Sequence, residues 1–300
     1  MTLLLTGATG FLGRALLPLL AQRDDVVALH RPGTDPPDVG HLDGGHPDGA
    51  APPEAGRVRW VAQDLAAPLS EQLPARIDGV LHVAQSRRYR EFPDGALDVM
   101  DVNTMATTRL LDYCRRAGGA TFVYASTGAV SGAGRKAIRE DDPPAPGNLY
   151  AISKHAGEQV VAQYRPLFCA HSLRYFFIYG PGQEGMMMPG IIGRVASGQE
   201  VQLAGADGIS LNPVYAGDAA RATAAALELD ESATINVAGP ETVSIRQIAE
   251  IIGGEAGKAP TFENVAEQPD FVASIDLMTS LLGAPTTTPR EGLARMVAAG

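Results

Sequence analysis

Tyr150 and Lys154 stand four residues apart in the run Tyr150-Ala-Ile-Ser-Lys154. If that run is helical, the two side chains share one face, about a turn from each other. A phenol titrates near 10, and an adjacent ammonium favours phenolate, moving the group towards neutral pH. A shift of about 3 pH units corresponds to about 4 kcal/mol, which requires a desolvated pocket. Such a pair can pass a proton to or from a carbonyl oxygen. Ser126 and Thr127, in Ala125-Ser-Thr-Gly-Ala-Val-Ser-Gly132, supply hydroxyls that can hydrogen-bond the same oxygen. Near the N-terminus, Thr6-Gly-Ala-Thr-Gly-Phe-Leu-Gly13 places glycines at 7, 10 and 13. Gly7 suits a tight turn, Gly10 lets the backbone approach a pyrophosphate, and Gly13 allows close packing of helix on strand. The free amides at the helix start near Phe11 then receive the phosphates, so the loop predicts a dinucleotide site.

These groups need a scaffold that brings them together. Strands are expected at Thr2–Thr6, Asp25–His30, Val58–Ala62, Gly79–Val83, Thr121–Ala125 and Ser172–Phe177. Helical spacing recurs at Phe11–Gln22, Asp98–Ala117 and Leu149–Tyr164. Alternating strands and helices predict an α/β fold, a doubly wound parallel sheet with helices on both faces. The rhythm becomes irregular after Gly180, where helices at Gly217–Leu229 and Ser244–Ile252 and strands at Val201–Leu203 and Thr234–Val237 are expected. The predicted organisation is a dinucleotide-binding domain over residues 1–180 and a smaller, mixed α/β, mainly substrate-binding domain over 181–300, with the chain returning to the sheet around 212–240. Ligands then bind beyond the carboxyl ends of the strands, where Ser126, Thr127 and the glycine loop meet.

Two further positions bear on the cofactor. His30-Arg31 ends the second strand, where an acid would accept from a free ribose hydroxyl and an arginine would receive a 2′-phosphate; Arg31 therefore favours NADP(H) over NAD(H). Asp64, in Gln63-Asp64-Leu65, is placed either to meet the adenine edge or to serve as a turn or cap residue.

Composition limits the remaining classes. The chain has 300 residues, 45% of them hydrophobic and 19% charged, which excludes intrinsic disorder. A net charge of −10 disfavours binding to nucleic acid or an anionic membrane. Only Cys114 and Cys169 occur, so no disulfide framework is expected. The N-terminus lacks the basic region of a signal peptide, and no apolar run reaches 18 residues, so a cytoplasmic protein is expected. Residues Arg31–Gly56 contain twelve Gly or Pro in 26, a long loop. It carries His41 and His46 without cysteine or clustered carboxylates, and no metal site is expected.

The chain resembles the extended short-chain dehydrogenase/reductase family, also called the epimerase/dehydratase family. The likeness runs through the glycine loop, His82-Val-Ala84, Val102-Asn103, the Ser126-Thr127 segment, Tyr150 to Lys154, Leu173-Arg-Tyr-Phe-Phe-Ile-Tyr-Gly-Pro-Gly182, Pro213-Val-Tyr-Ala-Gly-Asp218 and Asn236-Val-Ala-Gly-Pro-Glu-Thr-Val-Ser244. It implies a Rossmann-type fold, a homodimer, Tyr150 as acid/base and Lys154 as the ribose ligand that tunes it. It places Thr127 at the catalytic hydroxyl, with Ser126 as the competing assignment. The implied cofactor contacts are Gly7, Thr9, Gly10, Phe11, Leu12, Gly13, Arg31, Asp64, Leu65, Val83, Ala84, Gln85, Asn103, Tyr150, Lys154, Tyr175, Phe176 and Ile178. For a small-molecule substrate the expected contacts are Gln85, Arg87, Thr127, Phe177, Met186, Met187 and Tyr215.

Departures from the family narrow the reaction. Sugar-nucleotide 4,6-dehydratases follow the catalytic Thr with Asp-Glu, where this chain has Gly128-Ala129. Many nucleotide-sugar epimerases carry an Asn at the place of Phe177, and an Arg at the place of Leu211 or Asn212, both on the diphosphate. The expectation is thus an NADP(H)-dependent carbonyl reductase, with a nucleotide-sugar 4-epimerase that retains NAD as the alternative. Arg87, Arg88 and Arg90 offer a cationic loop for an anionic substrate, or an ordinary solvated one. A regulator that binds dinucleotide without chemistry is disfavoured, because both Tyr150 and Lys154 are present.

Overall fold

The structure is a computed structural model and describes residues 1–36, 57–135 and 137–300. His41 and His46 lie outside the described residues. The first half runs β1 (Thr2–Thr6), α1 (Phe11–Ala21), β2 (Asp25–His30), β3 (Val58–Ala62), β4 (Gly79–His82), α2 (Ala96–Met100), a π-helical turn (Asp101–Met105), α3 (Ala106–Arg116), β5 (Thr121–Thr127), α4 (Leu149–Tyr164) and β6 (Cys169–Tyr175). The second half runs α5 (Met187–Ser197), β7 (Val201–Ala204), β8 (Ser210–Leu211), α6 (Ala216–Ala225), β9 (Thr234–Val237), β10 (Val243–Ser244), α7 (Ile245–Ala256), β11 (Phe262–Val265), α8 (Asp276–Leu281) and α9 (Pro289–Ala299).

Seven parallel strands form the central sheet in the order β3-β2-β1-β4-β5-β6-β9. β1 shows why both faces must be covered. Leu3 and Leu5 point into the core packed under α1 and α6, and Leu4 points into the core under α3 and α4. A strand buried on both faces reads as a continuous apolar run, as Thr2–Thr6 does. The strand order reverses between β1 and β4, which opens a crevice at their carboxyl ends. A third core, containing Tyr179, Leu203, Leu211, Ile248, Ile252 and Leu293, fills the second half. Among the described residues, no helix is long and apolar enough to cross a membrane.

Several ends differ from the sequence expectation. β5 extends to Thr127 because Ser126 and Thr127 still pair with Arg174 and Tyr175. β6 stops at Tyr175, so Phe176 and Phe177 lie beyond it. The helix expected from Asp98 starts at Ala96 and is interrupted by the π turn. β9 joins the sheet beside β6, with Ser172 to Tyr175 paired to Thr234 to Val237.

Candidate active site

The glycine loop joins β1 to α1 at the crevice. Gly7 has φ +70, and a Cβ there would lie 2.7 Å from the backbone nitrogen of Ala84. Gly13 is tighter still, since its Cβ would lie 2.0 Å from the Gly7 carbonyl oxygen. Gly10 caps α1 without a side-chain hydrogen bond, and the first turn carries no acid. The result is a cradle of backbone at the positive end of a helix, with the Val83–Gln85 segment along its other wall. These residues fit the pyrophosphate of a dinucleotide. Thr9, Phe11 and Leu12 belong to the same loop and helix start. Arg31 is exposed immediately beyond β2, and its carbonyl accepts from the Thr34 hydroxyl at 2.7 Å. Asp64 serves locally as a turn residue, accepting from the Ala66 amide at 3.0 Å, and Leu65 follows it half-buried.

α4 carries Tyr150 and Lys154. Asn148 caps it through a 2.9 Å bond from the Ala151 amide. Gly157 allows it to lie close on β5, because a Cβ there would come 2.3 Å from the Tyr124 hydroxyl. Asn103, at the centre of the π turn, ties this helix to the segment after β4. Its amide donates to Ser153 Oγ at 3.0 Å, its oxygen accepts from the Ser86 amide at 2.9 Å, and Ser153 in turn donates to the Tyr150 carbonyl at 2.8 Å. Asn103 is fully buried, so its side chain acts through these contacts.

The reacting groups converge at the carboxyl ends of β4 and β5. The Tyr150 hydroxyl donates to Gln85 Oε1 at 3.0 Å, and its ring packs against that of Tyr89 with centroids 5.2 Å apart. Thr127 also hydrogen-bonds the phenol. Ser126, pointing to the other face of β5, instead donates to Glu158 Oε1 at 2.5 Å. The two hydroxyls left open by the sequence are therefore separated: one borders Tyr150 and the other is bound to a buried ion pair.

The electrostatics correct one expectation. Lys154 is 1% exposed, and its ammonium donates to the Ala125 carbonyl at 2.8 Å and sits 5.0 Å above the Tyr124 ring. Burial pushes it down to about 7, with the Glu158 carboxylate pulling the other way. The Tyr150 phenol is not lowered by its neighbour. Burial pushes it up to about 12, against the opposing hydrogen bond from Thr127. His82, buried between the Thr6 and Thr107 hydroxyls at 2.7 and 3.1 Å, is pushed down to about 3 by burial and then by the Lys154 charge.

Other expected residues fall into two groups. Tyr175, Phe176 and Tyr215 lie in core clusters; Tyr175 bonds Thr223 at 2.7 Å, Phe176 packs on Phe271, and Tyr215 packs on Tyr179. Ile178 is half-buried against the first core. Phe177 is half-buried with φ 47 and packs edge-on to Phe271. That left-handed conformation is uncommon for a bulky residue and suits Asn better. Leu211 is fully buried, and the Asn212 amide is committed to the backbone of Ala273 at 3.0 and 2.9 Å. Gly128 leaves no room for a carboxylate, because a Cβ there would meet the Phe176 ring at 2.5 Å.

The arginine loop is neither wholly free nor wholly solvated. Arg87 is exposed, and Arg88 pairs with Glu91 at 2.7 Å on the surface. Arg90 reaches across to the Gly185 carbonyl at 2.8 Å and Met186 Sδ at 3.1 Å, and the Tyr89 hydroxyl reaches the same sulfur at 3.4 Å. Met187 begins α5 directly beyond. Sequence reasoning missed this bridge and the Glu158–Arg174 pair. The only local signal for the pair was a glutamate one turn after Lys154.

Comparison with known proteins agrees with this geometry. A dTDP-4-dehydro-6-deoxy-D-allose reductase from Streptomyces sp is 28% identical over 277 residues, covering 86% of this chain and 82% of that protein. A point mutant of UDP-glucuronic acid 4-epimerase from Bacillus cereus, solved with UDP-4-deoxy-4-fluoro-glucuronic acid and NAD, superposes with a TM-score of 0.85 at 25% identity, covering 100% of this chain and 98% of that one. MoeE5, solved with UDP-glucuronic acid and NAD, gives a TM-score of 0.79 at 26% identity, covering 99% and 98%. Residues 3–238 match the family described as NAD dependent epimerase/dehydratase. The chain belongs to that family and is an NAD-dependent enzyme of the extended short-chain dehydrogenase/reductase type.

Proposed function

We propose that this enzyme interconverts a secondary alcohol and a ketone on the sugar ring of a nucleotide sugar, acting as a 4-epimerase. The observation that carries the reading is the meeting of Tyr150 and Thr127 beyond β5, with buried Lys154 one turn along α4. Similarity to a 4-epimerase over the whole chain supports it. A bound nicotinamide supplies or accepts hydride. Tyr150 gives a proton to the sugar oxygen or takes one from it, and Thr127 holds that oxygen. Lys154, one turn along the same helix, holds the ribose.

A second reading, reduction of a nucleotide-linked keto sugar, draws support from the similar Streptomyces reductase. Phe177, Leu211 and Asn212 separate the two readings no further, since both substrates carry a diphosphate and none of these residues offers it the polar contact expected in many epimerases. Incubation with UDP-glucuronic acid, UDP-glucose and a dTDP-4-keto-6-deoxy sugar separates the two. Epimer formation without net consumption of reduced cofactor supports the first, and stoichiometric NAD(P)H loss supports the second. No turnover of any of the three overturns both.

Arg31 favours NADP(H) as the cofactor that exchanges freely in the reductase reading, by offering a cation to the 2′-phosphate. The neighbours solved with NAD favour NAD in the epimerase reading. We also propose a homodimer built on α2, the π turn and α4. Leu97, Met105 and Ile152 are 81%, 46% and 47% exposed on these mutually packed segments. A monomer by light scattering would remove that proposal.

A further inference from the structure

The segment after β4 does more than line the crevice. It places two side chains on Tyr150: the Gln85 amide oxygen, which accepts from the phenol at 3.0 Å, and the Tyr89 ring, at 5.2 Å. It is pinned at both ends of this contact. Ser86, fully buried, takes the Asn103 oxygen through its amide at 2.9 Å and donates its hydroxyl to Asp98. Arg90 is fixed to the Gly185 carbonyl at 2.8 Å, 95 residues along the chain, and lies 5.1 Å over the Tyr89 ring. Gln85 is thus held on a fixed backbone rather than on a free loop.

We propose that Gln85 is a positioning residue that holds Tyr150 in its protonated form. A phenolate has no proton to donate, so an amide oxygen facing it is left without its hydrogen bond. The neutral phenol satisfies that oxygen. The contact therefore stabilises phenol over phenolate. Among the described residues, groups from three segments face this part of the site. From β5 come the Thr127 hydroxyl, which opposes Gln85 by bonding the phenol oxygen, and buried Tyr124. From α4 comes Lys154, held on the Ala125 carbonyl, with Glu158 beyond it. From the segment after β4 come Gln85 and Tyr89, and His82, kept neutral by burial, faces Lys154. Two neutral side chains with opposite preferences, Gln85 and Thr127, thus compete for one phenol.

The consequence is chemical direction. A phenol is the form that delivers a proton to a ketone, and a phenolate is the form that removes one from an alcohol. Gln85 holds the group in the form that serves the reductive half of the cycle. This inference rests on the reading of Tyr150 as the acid/base group, but its test needs no substrate.

The test is the ionisation midpoint of Tyr150, read by NMR of protein carrying 13C at the tyrosine phenol carbon and saturated with NAD. The Tyr150 resonance is assigned from its loss in Tyr150→Phe. Gln85→Met keeps the length of the side chain and removes the acceptor oxygen. Gln85→Glu keeps the shape and adds a negative charge. The expected midpoint in Gln85→Met falls by about one pH unit, the size of one neutral hydrogen bond. In Gln85→Glu it rises. An unchanged or raised midpoint in Gln85→Met overturns the proposal. A merely structural Gln85 would move neither midpoint, and a failed turnover assay leaves this result intact.

Discussion

Arg174 holds both carboxylate oxygens of Glu158, Nε to Oε1 at 2.9 Å and Nη2 to Oε2 at 2.8 Å, in a pair almost closed to solvent. Lys154 stands one turn earlier on the same helix, and the Glu158 charge is what opposes the effect of burial on its ammonium. Glu158→Gln should act twice. It leaves the Arg174 guanidinium buried without its charge partner, a loss of about 3–5 kcal/mol. It also drives the Lys154 ammonium below about 7, so that less of it is charged at neutral pH. Denaturant melts check the first effect. NAD titrations across pH check the second, with the loss of affinity relative to wild type expected to be largest at and just below neutrality, where only the wild-type ammonium is still charged.

Tyr150→Phe should leave NAD affinity nearly unchanged while turnover drops by about 10²–10⁴, the usual worth of a general acid/base. The ring and its contact with Tyr89 survive, and only the proton-transfer group is lost. Wild-type turnover in this variant would remove Tyr150 from the mechanism. Lys154→Ala should differ by weakening NAD binding as well.

The neighbouring hydroxyls should separate by phenotype. Thr127→Ala removes a group bonded to the phenol, so turnover falls while the melting temperature changes little. Ser126→Ala strips a donor from buried Glu158, and should cost about 1–3 kcal/mol of stability with little change in rate per folded molecule. The reverse pattern would assign the catalytic hydroxyl to Ser126.

His82 predicts an acid-side loss of stability. Its folded value is about 3 and its ordinary value 6.5, so between them the unfolded chain binds the extra proton. Its contribution is whole above pH 6.5 and is lost as pH falls towards 3. His82→Gln should flatten that part of the stability profile, read from urea melts at a series of pH values. A slope unchanged in the variant would assign the acid transition to other groups.

Arg31→Asp should move cofactor preference from NADP towards NAD. The new carboxylate repels a 2′-phosphate and accepts from a free 2′-hydroxyl. Titration of both cofactors against both proteins checks it. Wild-type protein that already binds NAD more tightly would show that Arg31 does not read the phosphate.

Local pattern made much of this molecule legible. Thr2–Thr6, Asp25–His30 and Leu149–Tyr164 match their expected bounds, because a buried run bounded by polar residues or a capped helical stretch leaves little freedom. The glycine loop was readable because its geometry tolerates no Cβ at Gly7 or Gly13. What escaped was non-local. The spacing of Tyr150 and Lys154 gave their shared helix, but not the Ala125 carbonyl that holds the ammonium or the burial that raises the phenol. The bond from Arg90 to Gly185 and the pairing of Glu158 with Arg174 join residues whose separation carries no periodic signal. The π turn at Asn103 was hidden because its residues read as ordinary helix.

The place of β9 beside β6 bears on synthesis. β6 is complete at Tyr175, yet the strand that covers its outer side does not begin until Thr234. While the intervening residues are being made, the backbone of Ser172 to Tyr175 presents unpaired amides and carbonyls along that edge, an open template for another chain. A fragment cut near residue 180 would keep the glycine loop, Tyr150 and Lys154 but retain that bare edge permanently. It would therefore be expected to aggregate rather than serve as a free-standing nucleotide-binding module, and the edge is closed only when Thr234 to Val237 arrive.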